Sequence, residues 1–132
     1  MEDRFKLRFW DKIMENMIEF GDWENAMAFL YLLQSGDTIP MQCTGLKDKN
    51  GNLIYEGDIV KYTSKPSKKQ DPRIKPLVEN YKVVWSEKFT GYQLQASNGV
   101  NCQSIAVVLE QIEVIGNIYE NPELLGVENA NI

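Results

Sequence analysis

Apolar and charged side chains alternate at the start of the chain. Within 4–10, Phe5, Leu7 and Phe9 fall on one side and Arg4, Lys6 and Arg8 on the other, the period of two of a half-buried strand. Trp10 opens a turn at Asp11-Lys12. Met14, Asn16, Ile18 and Phe20 then share one parity, so an N-terminal hairpin is predicted. The pattern changes at Gly21-Asp22. Asp22 is a candidate N-cap for a run low in β-branched residues that stops at Ser35-Gly36, and the spacing predicts one helix near 22–35. Its apolar face carries Trp23, Met27, Leu30 and Leu33 or Phe29. Such a face either caps the open end of a small barrel, which ranks first, or makes an oligomer contact.

Short strands and tight turns follow. Met41-Gln42-Cys43-Thr44 is a strand candidate, and Asn50-Gly51 is the pair that a type I′ hairpin turn favours. Glu56-Gly57-Asp58 supplies a second turn into the strand Ile59–Tyr62. Residues 64–77 hold Pro66, Pro72 and Pro76 among serines and positive charges, so they read as an exposed loop rather than a central strand. Strands are predicted again over 81–85 and 91–96, with an Asn98-Gly99 turn after them. Ser104 to Leu109 is irregular. Residues 112–119 form a final strand, where Gly116 suggests a bulge. Asn121-Pro122-Glu123-Leu124-Leu125 predicts a short helical turn with Asn121 as N-cap, stopped by Gly126. The fold class is mainly β, a small open barrel or strongly bent antiparallel sheet.

Composition adds exclusions. At 132 residues with 43% apolar side chains the chain suits one domain, 1–126, with a tail over 127–132. No apolar run approaches the roughly 20 residues of a membrane span, and the N-terminus does not read as a signal peptide, so a soluble cytoplasmic protein with no membrane partner is expected. Cys43 and Cys102 stand far apart and read as buried thiols, not a metal clasp. The chain contains no histidine, which removes the usual general base and the commonest transition-metal ligand. The net charge of −5 is uneven: Lys65, Lys68, Lys69, Arg73 and Lys75 against Asp71 give 64–77 a balance of +4, leaving −9 elsewhere. An acidic body disfavours a broad nucleic-acid face.

Four segments together resemble the YopX family of phage and prophage proteins from low-GC Gram-positive bacteria: Arg8-Phe9-Trp10-Asp11-Lys12, Met41 to Gly51, Ile54-Tyr55-Glu56-Gly57-Asp58-Ile59-Val60, and Val114 to Leu125. The resemblance implies an SH3-like barrel, here 39–119, with the hairpin and helix of 1–38 added, and it suggests self-assembly. It carries no catalytic residue across.

Asp48, Glu56 and Asp58 surround glycine turns, but their spacing is not that of an EF-hand, and Asp48 and Asp58 are better explained as turn formers that accept from backbone N–H groups. No catalytic, cofactor-binding or metal-ligating residue is assigned, and no cofactor is expected. Most of Trp10, Trp23, Trp85, Tyr55, Tyr62, Tyr81 and Tyr92 should be core; a groove would need two or three exposed on one face with a cation nearby. Two functions follow as expectations. The first is a non-enzymatic interaction module, a homo-oligomer or a binder of a host or phage protein, using Trp23, Met27, Leu30 and Leu33. The alternative is a nucleic-acid accessory protein contacting its partner through Lys65, Lys68, Lys69, Arg73 and Lys75 with Tyr62 or Tyr81.

Overall fold

Among the described residues, nine strands form two antiparallel sheets. The computed structural model describes residues 6–20, 30–32, 34–65 and 73–126. The first sheet has the order β2-β1-β3-β4 and the second β8-β7-β6-β5-β9. The N-terminal alternation yields β1 (Leu7–Asp11) and β2 (Asn16–Phe20), paired from Leu7↔Phe20 to Asp11↔Asn16, and β1 also pairs with β3 (Thr38–Lys47). β4 (Leu53–Tyr55) completes this sheet. One tight turn at Glu56-Gly57 leads to β5 (Asp58–Thr63) in the second.

β5, β6 (Val78–Ser86) and β7 (Gly91–Gln95) form a meander, with β8 (Asn101–Ser104) at one edge and β9 (Ile112–Asn117) at the other. This second sheet curls into a half-barrel. Ile54, Val60, Tyr81, Val83, Leu94, Ile105 and Ile112 fill its concave side, with Leu46, Tyr62, Tyr92 and Val114 packed around them. Period-two alternation accounts for β6, where Tyr81 and Val83 face inward opposite their neighbours; in β7 the adjacent Gln93 and Leu94 are both buried, and Leu94 pairs with Val83.

Several expectations change. Asn50-Gly51 is not a type I′ turn, because Gly51 has φ +84° while Asn50 is absent from the non-glycine residues of positive φ. Asp48 organises the loop instead: its Oδ1 accepts from Asn50 N and Asn52 N, both at 2.9 Å. The segment around Cys102, which looks like a strand in the sequence, is β8, an edge strand paired with β7 on one side only. Cys43 is buried as expected, whereas Cys102 is exposed on that edge strand. The C-terminal turn is a 3₁₀ helix, Pro122–Leu125, ended by Gly126 at φ +70°. Asn121 holds the expected N-cap position but its side chain makes no capping hydrogen bond. Its Oδ1 accepts from Asn117 N at 3.3 Å and lies where a Cβ on Gly116 would clash, at 2.5 Å. The expected bulge is present: Ile59↔Gly116 is followed by Val60↔Val114. Of the helix near 22–35, residues 30–32 and 34 are helical and 21–29 and 33 lie outside the described residues, so the roles expected of Trp23, Met27 and Leu33 rest on the sequence.

Closure of the half-barrel depends on Asp48, which is buried. Its Oδ2 accepts from Val114 N at 2.8 Å, and Lys49 N donates to Ile112 O at 3.2 Å, so the β3–β4 loop covers the free edge of β9. Three backbone N–H groups therefore depend on one carboxylate. Replacing Asp48 with alanine should lower the unfolding free energy by about 2 kcal/mol or more, because three part-buried backbone hydrogen bonds would lose their charged acceptor. Asp48→Asn, which keeps one acceptor oxygen, should fall between. Denaturant midpoints decide this, and a loss below about 0.5 kcal/mol for the alanine variant would contradict it.

Candidate functional site: exposed hairpin ends on a locked frame

Asp58 occupies the junction of the two sheets and is 1% exposed. Its Oδ2 accepts from Tyr55 N at 2.8 Å, closing the turn that joins β4 to β5. Its Oδ1 accepts from the Arg8 guanidinium of β1 in a buried ion pair. Arg8 also lies over the Tyr55 ring, 4.0 Å from its centroid. Burial raises the Asp58 carboxyl above its ordinary value, an effect that Arg8 and the Tyr55 N–H oppose. Burial likewise pushes the Tyr55 phenol up to about 12, with Cys43 adding to it. The Asp58 carboxylate is engaged by Arg8 and by backbone, and a phenol at about 12 is no acid or base at neutral pH. Among the described residues no group of three or more His, Cys, Asp or Glu is placed to hold a metal ion.

A cleft of ≈ 220 Å³ opens beside this junction, with Pro40, Met41, Glu56, Gly57, Lys82 and Tyr119 among its walls. Gly57 has φ +91°, and a Cβ there would stand 2.8 Å from the Met41 side chain. Trp10 stacks on Tyr119 with centroids 5.5 Å apart and planes at 13°. Burial raises the phenols of Tyr119 and Tyr92, and the field of Glu56 adds to both.

Two turns expose large apolar side chains although their backbones are held. Between β1 and β2, Asp11 Oδ1 accepts from Ile13 N at 2.9 Å and Met14 N at 3.0 Å, while Lys12 N donates to Asp37 O. Ile13 and Met14 are nevertheless 67% and 70% exposed. Between β6 and β7, Ser86 Oγ accepts from Phe89 N at 3.3 Å and Thr90 adopts φ 49°. Phe89 is 57% exposed there, with Lys88 over its ring. Trp85 has the inward parity of Tyr81 and Val83 but lies past the end of the core. It is 45% exposed and meets Tyr92 edge-to-face at 5.1 Å. This end thus carries the Trp85–Tyr92 pair at the close of the strands and, in the turn beyond it, Phe89 with Lys88 over its ring.

The residues expected to contact a partner are differently placed. Tyr81 belongs to the core, where its hydroxyl donates to Glu79 at 2.6 Å; that hydrogen bond, then burial, raises its phenol. Tyr62 meets it edge-to-face at 6.1 Å and accepts from Gln111 Nε2. Neither ring is a free stacking platform. Lys65, Arg73 and Lys75 are exposed, Lys68 and Lys69 lie outside the described residues, and Leu30 is exposed. Sequence reasoning passed over Ile13-Met14 and the Trp85 end. Two large apolar residues inside a turn closed by Asp11 were a usable signal, whereas the alternation through Trp85 looked the same as that of a core position.

The sequence profile described as YopX protein matches residues 9–126. Among solved structures, the crystal structure of protein EF1440 from Enterococcus faecalis is similar, with 28% identity and a TM-score of 0.56, over 91% of this chain and 96% of that one. No curated protein matches the chain.

Removing Arg8 should be costly. With Arg8→Met the Asp58 carboxylate is buried without a counter-charge, and the loss at neutral pH should be about 3–5 kcal/mol. A carboxyl whose folded pKa is raised favours folding below its unfolded value and loses that contribution as pH rises through the folded one. The Arg8→Met defect should therefore shrink as pH falls toward the ordinary carboxylate range, as thermal unfolding at several pH values would show; a defect independent of pH would refute it. At the alkaline end, the raised Tyr55 phenol contributes stability present below about 10 and lost as pH climbs toward about 12. Tyr55→Phe should flatten stability over that range.

Proposed function

The chain belongs to the YopX protein family, and on that premise we propose that it is a non-enzymatic interaction module that self-associates in the cytoplasm of a bacterial host as a phage or prophage product. The observation that carries the reading is the exposure of Ile13, Met14 and Phe89 on turns held by Asp11 and Ser86, with Trp85 exposed at the end of β6. Large apolar side chains on ordered turns offer surface to a partner with little further loss of chain entropy. Buried carboxylates that serve backbone and Arg8 favour a structural use of the family motifs over a reactive one.

The competing reading is nucleic-acid contact through Lys65, Lys68, Lys69, Arg73 and Lys75. The placement of Tyr62 and Tyr81 weighs against its stacking component. Binding to DNA or RNA that weakens as salt is raised would support it.

Sedimentation velocity across a wide concentration range tests the first reading. The expected outcome is a reversible increase in mass with concentration, reduced by Ile13→Ser/Met14→Ser with the fold retained. A strict monomer throughout would exclude self-association.

A further inference from the structure

We propose that copies of the chain join head to tail, with the exposed segment 73–78 of one copy seated on the aromatic end of the β6–β7 hairpin of the next. This rests on the self-association reading and names two further surfaces for it, in addition to the Ile13-Met14 turn. In Arg73-Ile74-Lys75-Pro76-Leu77-Val78 the apolar side chains Ile74, Leu77 and Val78 are each at least half exposed. The segment is rooted where Ser64 N donates to Leu77 O at 2.9 Å and Leu77 N to Ser64 Oγ at 2.8 Å. Pro76 fixes its own φ and biases Lys75 toward extended backbone, so the segment offers apolar and cationic groups with reduced freedom to lose.

The aromatic end matches that chemistry. Trp85, Phe89 and Tyr92 offer the ring faces and edges that proline-containing chains and cations dock against. Glu87 lies in the same turn, and the field of Glu56 reaches Tyr92; Lys88 is opposed to a cation but sits over Phe89. Arg73 and Lys75 give the docking segment two positive charges within the +4 of 64–77, against −9 on the rest of the chain, so attraction between the segment and another copy's body is favoured.

The two surfaces cannot meet within one copy. Val78 opens β6 and Trp85 stands near its other end, about 23 Å away at about 3.3 Å per residue. Complementary surfaces at opposite ends of one strand form a heterologous contact, which builds rings or open chains rather than a self-complementary dimer.

The test uses the full chain, Trp85→Glu, Leu77→Glu, and an equimolar mixture of the two variants, each by sedimentation velocity. Each variant alone should associate about thirtyfold more weakly or worse, the size of an interface hot-spot loss. The mixture should recover a 1:1 pair, because the intact segment of the Trp85 variant can meet the intact aromatic end of the Leu77 variant. Near-UV circular dichroism verifies each fold; a variant that misfolds is replaced by Phe89→Glu or Lys75→Glu. Should the wild-type chain self-associate while both variants keep its dissociation constant, these surfaces are wrong and self-association stands. Variants that dissociate but fail to pair on mixing also overturn the inference. A wild-type chain that is monomeric throughout removes both this inference and the reading beneath it.

Discussion

A buried carboxylate joins the two sheets. Asp58 begins β5 in the second sheet, and its ion pair reaches Arg8 on β1 in the first. Burying a charge is costly unless it is paired and hydrogen-bonded, so the position of β1 relative to β5 is constrained by electrostatics as well as by packing. The turn between the sheets meets the same demand. Asp58 accepts from Tyr55 N, Gly57 N donates to Val83 O, and the positive φ of Gly57 lets the chain reverse against Met41. A side chain at position 57 would collide with the first sheet at the place where the sheets are joined.

Asp48 does comparable work at the other end of the β3–β4 hairpin. One carboxylate there organises a loop and bonds to β9, closing the half-barrel without a further strand. The conspicuous polar residues of the chain are thus engaged inside it. Asn117 continues the pattern: its Oδ1 accepts from Tyr119 N and Glu120 N, while Asn80 donates to Leu124 O and ties the C-terminal turn to β6. With buried polar groups committed to backbone, the surface becomes the place where function is sought, and its uncommitted apolar residues cluster at hairpin ends.

Much of the architecture was legible in the linear pattern. The first hairpin, the meander of β5 to β7, the bulge near Gly116 and the stop at Gly126 follow from period-two alternation and the conformational freedom of glycine, which are local properties. Asp48 and Asp58 could be read as turn formers for the same reason. Their second partners, Val114 and Arg8, are 66 and 50 residues away in sequence, beyond any local rule. Around Cys102 the strand was legible but its burial was not, because β8 is an edge strand whose exposure is set by what packs beside it.

The sequence by itself determined a mainly β chain, its turns, the family resemblance and the charge contrast between 64–77 and the remainder. Tertiary structure decided which of two similar aromatic patterns is core. Tyr81 and Trp85 share one strand and one parity, yet the half-barrel covers the first and ends before the second. Alternation records which face a side chain takes, not how far the opposite layer extends over it, and that extent is set by strands distant in the chain.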